Sequence, residues 1–366
     1  MSGRLQPPFR ADHVGSLLRP ASLLQLRAQA ERGEVSAEAL RHHEDECIRQ
    51  VVELQESVGL AGVTDGEYRR ESFHGDFIRQ LGGVEFKLFN PGRETSGGAP
   101  FVAVVSEKMT RPAAGIEVEN FRFLRSVTKA TAKQTIPSPT MTHFRGGREA
   151  IDRTAYPEME LFFADLARVY REEVAGLAAA GCRYLQLDDT NLAYLCDHDM
   201  RAKAAERGED VDRLPHDYAE LINASIRGRP EDMAVCVHLC RGNARSRWFA
   251  QGGYEPIAEV IFNELDVDGF FLEYDDERSG DFDPLRFVPK DKIVVLGLLT
   301  SKTGELEAGD AIKSRIEAAT RHIDLEQLCL SPQCGFASAV QGNLLTEDDE
   351  KRKLALVVEL ADEIWG

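Results

Sequence analysis

The chain has 366 residues, 43% apolar and 29% charged, an ordinary globular composition with length for a large core. A formal net charge of −18 weighs against nucleic acid and anionic membrane surfaces as partners. No apolar run approaches the roughly 18 residues of a spanning helix, and Met1 to Arg10 lacks an apolar stretch of signal-peptide length, so the seven cysteines are expected as thiols in a reducing cytoplasm.

In chain order, Ala11 to Ser16 is a short extended run ending in Gly15-Ser16. Ser36 has an N-cap side chain, and Leu40, Cys47, Val51, Leu54 and Val58 recur at helical spacing, which predicts a helix from Ser36 to Leu60. Ala61 to Glu67 is the next strand and its exit. Residues 78–133 are irregular: a Gly/Pro-rich patch from Asn90 to Pro100, a β-like run from Phe101 to Val105, and an apolar run from Phe121 to Val127. They are expected as a long excursion with a hairpin, arching over a site. Gln134 to Ile136 is a third strand. Pro157 opens a helical run to Ala180, followed by the strand Arg183 to Leu187 with Asp188-Asp189 at its end. Helical stretches at 198–207 and 216–227 lead to the strand Val235 to Cys240. Then come a helix at 254–264, the strand Gly269 to Glu273, the strand Lys292 to Gly297, a helix at 307–322, the strand-like run Leu328 to Gly335, and an amphipathic helix from Glu347 to Trp365.

Strands alternating with helices imply parallel pairing through crossovers. Eight strand candidates favour a closed (β/α)8 TIM barrel, here one domain over 1–366 with an inserted hairpin region at about 78–133, between strands 2 and 3. No Gly-rich phosphate motif follows a strand, so a nucleotide fold gets little support.

In such a barrel chemistry sits where the strands end. Those ends carry Gly15-Ser16, Glu67, Asp188, His238 with Cys240, Glu273, Lys302 and Cys334. Residues two apart on a strand share a face, so His238 and Cys240 reach into one space. Imidazole and thiolate are the ligand types zinc prefers. A carboxylate closing an apolar strand, as Glu273 does, is costly unless paired or metal-bound. Plain alternatives stand beside each residue. A buried His satisfied by hydrogen bonds can sit beside a buried Cys. Glu67 and Asp188 can cap following helices, Val14-Gly15-Ser16 can be a turn, and Lys302 can be a solvated loop residue.

Together these stretches resemble the catalytic barrel of cobalamin-independent methionine synthase, and more closely its short single-barrel relatives. The matching elements are Val14-Gly15-Ser16, Asp65-Gly66-Glu67, Leu185-Gln186-Leu187-Asp188, Val237-His238-Leu239-Cys240, Leu272-Glu273 and Ser331-Pro332-Gln333-Cys334-Gly335. The resemblance implies that His238, Cys240, Glu273 and Cys334 bind zinc. It also implies that Glu67 and Asp188 hold the ammonium of homocysteine, with the backbone around Val14 and Gly15 and the Ser16 hydroxyl meeting its carboxylate. Departures fall on the methyl-donor side. Lys302 stands where the family has a catalytic His, the folate-stacking Trp is replaced near Phe144-Arg145, and the longer stretch from Cys240 to Glu273 adds Arg245, Arg247 and Trp248.

The resulting expectation is a zinc-dependent thiol S-methyltransferase acting on homocysteine, with Glu273 as the displaceable ligand and Lys302 as the candidate acid. Lysine donates a proton poorly at its ordinary pKa of about 10.4, so folate monoglutamate is expected to be a poor donor. Methylcobalamin and a sulfonium such as S-methylmethionine stay open. The other readings are an alkyltransferase or lyase acting on a thiol such as coenzyme M, and a non-catalytic zinc-binding barrel. A homodimer is compatible with the sequence.

Overall fold

The computed structural model describes residues 4–88 and 101–366. Ten strands are present among them: β1 (Gly62–Val63), β2 (Gly82–Leu88), β3 (Phe101–Thr110), β4 (Thr131–Ala132), β5 (Gln134–Pro137), β6 (Tyr184–Asp189), β7 (Ala234–Leu239), β8 (Gly269–Glu273), β9 (Ile293–Leu299) and β10 (Leu328–Pro332). β5 to β10 form one parallel sheet in sequence order. Next to β5, β4 pairs in parallel with β1. At the other edge, Asp12 N–H donates to the Leu330 carbonyl (3.0 Å) and Leu330 N–H donates to the Arg10 carbonyl (2.8 Å), which adds the Ala11 segment beside β10. Leu17 N–H then donates to the Gly66 carbonyl (3.1 Å) and the Thr64 hydroxyl donates to the Gly15 carbonyl (2.6 Å). The first and second segments meet, and the ring is a (β/α)8 barrel with every strand end on one rim.

The lumen is filled by Phe9, Val14, Tyr184, Cys236, Phe271, Val295 and Cys329. It also holds one buried ion pair: Lys133 Nζ lies 3.0 Å from Asp12 Oδ1 and 4.0 Å from the centre of the Phe271 ring, and the Tyr184 hydroxyl donates to Asp12 Oδ2 (2.7 Å). A larger apolar layer lies between barrel and helices. The last helix (Glu347–Trp365) starts from a reciprocal cap between Thr346 and Asp349, and packs Leu354, Val357, Leu360 and Trp365 inward.

The helix expected from Ser36 to Leu60 runs Ala37–Ser57. The Ser36 hydroxyl accepts from Ala39 N–H at 3.1 Å, and Gly59, at φ +94°, stops the helix three residues early. The excursion is an antiparallel β2/β3 hairpin, with β3 reaching Thr110. The apolar run from Phe121 belongs to a helix, Val118–Val127. The Gly/Pro-rich patch from Asn90 to Pro100 lies outside the described residues. A helix at Ala21–Glu31 has no counterpart in the sequence reading, because it buries only Leu23 and Arg27 and so shows no apolar stripe. Among the described residues no helix is long and apolar enough to cross a membrane.

Candidate metal centre

Pairing of β6 with β7 sets Asp188 opposite His238, and the carboxylate takes the ring: Nδ1 lies 3.1 Å from Asp188 Oδ1. Nε2 is the ring atom left to meet a ligand, and it lies 3.4 Å from the Gln333 carbonyl. Cys240 follows β7 on the same face, and Cys334 arrives from beyond β10. The register slips between Ser331 and Pro332, and Gln333 passes so close to β9 that a side chain at Gly297 would lie 2.6 Å from its Cα. The two Sγ atoms are 3.8 Å apart, and one ligand atom from each of His238, Cys240 and Cys334 lies within 4.8 Å of the others. All three side chains are buried.

The electrostatics suit a cation. Burial opposes protonation of His238, yet Asp188 and Cys334 outweigh it and push the ring up to about 10. Cys334 is held well below its ordinary value by the Cys240 thiol and His238, against burial. Its hydrogen bond to Cys334, together with burial, raises Cys240. Two soft sulfurs and an imidazole converging in a dry pocket, with positive charge favoured there, fit zinc.

Glu273 closes β8 nearby but stands outside this trio. Its Oε2 accepts from Arg241 N–H (2.6 Å), and its Oε1 accepts from Arg278 Nη2 (2.5 Å) with Lys302 Nζ at 3.5 Å. Burial favours its protonation, but Lys302, Arg241 and Arg278 hold the carboxyl below its ordinary range. Lys302 Nζ sits 2.8 Å from Asp275 Oδ2. Burial pulls its ammonium down, while Glu273 and Asp275 raise it overall, so proton donation is harder than from a free lysine.

Glu67 lies on the opposite side of the mouth at φ +60°, a strained conformation for a non-glycine residue. The Thr135 hydroxyl donates to its Oε1 (3.0 Å), whereas its buried Oε2 has no partner. Burial and the nearby Asp188, opposed by Arg70, push it up to about 7. Gly15, at φ +140°, passes where a Cβ would meet Thr135 Cγ2 at 2.7 Å, with Glu67 Oε1 3.6 Å away. The Val14 carbonyl accepts from Gln186 Nε2 (2.6 Å), which also donates to Asp188 Oδ1 (2.6 Å). Ser16 packs on the Cys334 loop, its carbonyl accepting from Phe336 N–H (2.8 Å).

Val14 to Ser16, Glu67, Asp188 and the trio are therefore contiguous, and Glu273 with Lys302 forms a separate charged cluster beside them. The sequence reading missed Arg241, Asp275 and Arg278. Arg241 left one signal, its position directly after Cys240, where it is wholly buried and stacks on Tyr254 at 4.3 Å.

Residues 9–362 match the family model described as the catalytic domain of cobalamin-independent synthase. The chain belongs to the cobalamin-independent methionine synthase family. It is 45% identical over 365 residues to the protein YxjH of Bacillus subtilis (strain 168), covering 98% of this chain and 95% of that one. It is 31% identical over 335 residues to the 5-methyltetrahydropteroyltriglutamate–homocysteine methyltransferase of Thermosynechococcus vestitus, covering 90% of this chain and 40% of that longer protein. A crystal structure of a putative vitamin-B12-independent methionine synthase from Listeria monocytogenes superposes with a TM-score of 0.80 at 39% identity, covering 99% of this chain and all of that one. Family membership makes this a methyltransferase of the methionine synthase type.

Proposed function

We propose that the protein is a zinc-dependent thiol S-methyltransferase of the cytoplasm whose acceptor is homocysteine. One observation carries the reading: the buried trio of His238, Cys240 and Cys334 adjoins two carboxylates, Glu67 and Asp188, one of which has an oxygen with no partner. A soft-donor metal site next to an acidic pocket suits a small molecule carrying both a thiol and an ammonium.

His238, Cys240 and Cys334 would hold zinc, which would present a coordinated thiol as thiolate at neutral pH. A free thiol of pKa about 8.5 is only a few per cent thiolate at pH 7, so full deprotonation is worth roughly 30-fold, or about 2 kcal/mol. The remainder of the rate enhancement comes from orientation, and that is the work of the chain. Glu67 and Asp188 receive the ammonium, while the backbone at Val14 and Gly15 and the Ser16 hydroxyl meet the carboxylate, which turns the sulfur toward His238, Cys240 and Cys334. Asp188 also holds His238 through Nδ1, so amine binding and the metal ligand share one carboxylate. Methyl transfer forms the S–C bond and leaves the bonding pair with the departing group. A departing nitrogen anion requires a proton, and Lys302, clamped between Asp275 and Glu273, is a weak source. Folate monoglutamate is therefore expected to be a poor methyl donor.

The reading is tested by titrating the zinc-loaded protein with homocysteine in a calorimeter, in buffers of different ionisation enthalpy. About one proton released per thiol bound is expected. Binding without proton release, or no binding, would contradict it.

A further inference from the structure

Arg145 lies in the loop after β5, and the function proposed above does not use it. Among the described residues its half-buried side chain pairs with no carboxylate. The chain has 62 acidic and 44 basic residues, so a shortage of acids does not explain this. Arg145 meets the Tyr194 hydroxyl instead: burial raises this phenol, Arg145 opposes the rise, and Cys240 adds to it. A Cβ at Gly242, two residues after Cys240, would lie 2.9 Å from the Tyr194 hydroxyl oxygen. The Phe144 ring packs on Tyr194 with centres 6.0 Å apart. Tyr194 thus links Arg145 to the Cys240 side of the mouth.

Arg145 also faces His74. Burial first, then Arg145 and Arg79, push this imidazole well below its ordinary range, so the ring is uncharged. Both its nitrogens are buried without a partner, and the one that carries hydrogen can donate to a bound acceptor. The ring lies beside Phe73 and Phe86, with centres 4.5 and 5.6 Å away. Those two side chains pack on a small apolar cluster with Met141, whose Sδ accepts from Thr190 Oγ1 (3.5 Å) and Asn191 Nδ2 (3.3 Å) just past β6. The aromatic wall therefore stands over the ends of β5 and β6.

A guanidinium without a counter-charge recognises an anion, and the imidazole N–H offers that anion a second donor. Aromatic faces beside it suit a cation. The proton supply narrows the choice. Lys302 is a weak acid, and His74 carries no extra proton. A group expelled from an onium centre departs neutral and needs none.

We propose that Arg145, with His74 and Tyr194, binds the carboxylate of the methyl donor, and that this donor is a small onium carboxylate, a sulfonium or a quaternary ammonium. The thiolate sulfur attacks the onium methyl. The S–C bond forms and the bond from methyl to onium breaks. Its electron pair stays on the departing sulfur or nitrogen, which leaves as a thioether or tertiary amine still carrying the carboxylate. The inference rests on the thiol methyl-transfer reading above and names its second substrate.

The test is calorimetric titration of the zinc-loaded full chain with 3-(dimethylsulfonio)propanoate and with glycine betaine, each beside the amide that lacks its carboxylate charge. One of the two acids should bind at least about tenfold more tightly than its amide, the worth of a charge-assisted hydrogen bond. Which one does so tells sulfonium from ammonium. Arg145→Gln should abolish that preference and leave homocysteine binding within about threefold. Arg145→Lys should restore part of it. Mass spectrometry should find methionine formed from homocysteine and the acid that binds. Acid against amide is read on the native chain, so that comparison does not depend on how a variant folds. Acid and amide binding alike, no probe binding, or an Arg145→Gln that keeps the preference overturns the donor site and leaves the homocysteine reading standing. Binding without methylation of homocysteine overturns the acid's role as donor. A preference set by Arg145 in a chain that releases no proton with homocysteine overturns the acceptor and leaves the donor site standing.

Discussion

His238, Cys240, Cys334 and Glu67 on one side of the barrel mouth, and Glu273, Asp275, Arg278 and Lys302 on the other, are similarly buried and differently finished. The second group is closed on itself, each charge facing an opposite charge within 3.5 Å. The first is left open: two thiols face each other with an imidazole, and Glu67 keeps an oxygen with no partner. Burying a polar atom without a partner is expensive; the second group has one at Arg278 Nε, on a guanidinium whose charge is met, whereas at Glu67 it is a carboxylate oxygen that a bound ammonium would satisfy. Each cluster holds a buried glutamate, Glu67 in the first and Glu273 in the second. The degree of saturation separates a place for binding from a place that holds shape.

The widest separation between the clusters is expected from Cys334→Ala. Loss of one of two sulfurs should lower zinc affinity by at least about a thousandfold while leaving the thermal midpoint of the metal-free chain nearly unchanged. Equilibrium dialysis with metal analysis reads the first and calorimetry the second. A variant that binds zinc as the native chain does would erase the distinction.

Glu67→Gln comes next. It removes the acceptor for the ammonium, and homocysteine should bind about 30–100-fold more weakly, near the 2–3 kcal/mol of a charge-assisted hydrogen bond. The pH dependence has a defined sign. The Glu67 carboxyl, pushed up to about 7, is largely protonated below that pH. The native chain should therefore lose affinity for homocysteine, relative to the amine-free 4-mercaptobutyrate, as pH falls through 7, and Glu67→Gln should show no such slope. An identical slope in both would exclude Glu67 as the ammonium's partner.

Lys302→Gln is the mirror experiment on the closed cluster. Breaking a buried ion pair from one side leaves Asp275 only the more distant Arg278, at 3.5 Å, and a stability loss of about 3 kcal/mol is expected in chemical denaturation. Zinc should be retained within a few-fold. A chain that lost zinc and kept its stability would exchange the roles of the two clusters.

Much of the open cluster was legible in the sequence because each member stands at a strand end. An apolar run followed by His-x-Cys, or by Pro-x-Cys-Gly, marks a side chain aimed at the barrel mouth whatever the helices do. Glu273 was harder. A carboxylate at the end of a buried strand has to be paired or metal-bound, and those alternatives differ only by what lies opposite. That residue is Arg278, five positions on, in a loop held by Gly252 N–H donating to the Arg278 carbonyl (3.0 Å) and by the Trp248 ring beside its guanidinium. None of these has a periodicity to read. The helix at Ala21–Glu31 escaped for a related reason, since Leu23 is its one buried apolar residue.

X-ray absorption at the zinc edge, on the native chain with and without homocysteine, bears most directly on whether an open metal site receives the thiol. The expected result is one nitrogen and two sulfurs without homocysteine, rising to three sulfurs with it. An unchanged sulfur count on saturation with homocysteine would contradict it.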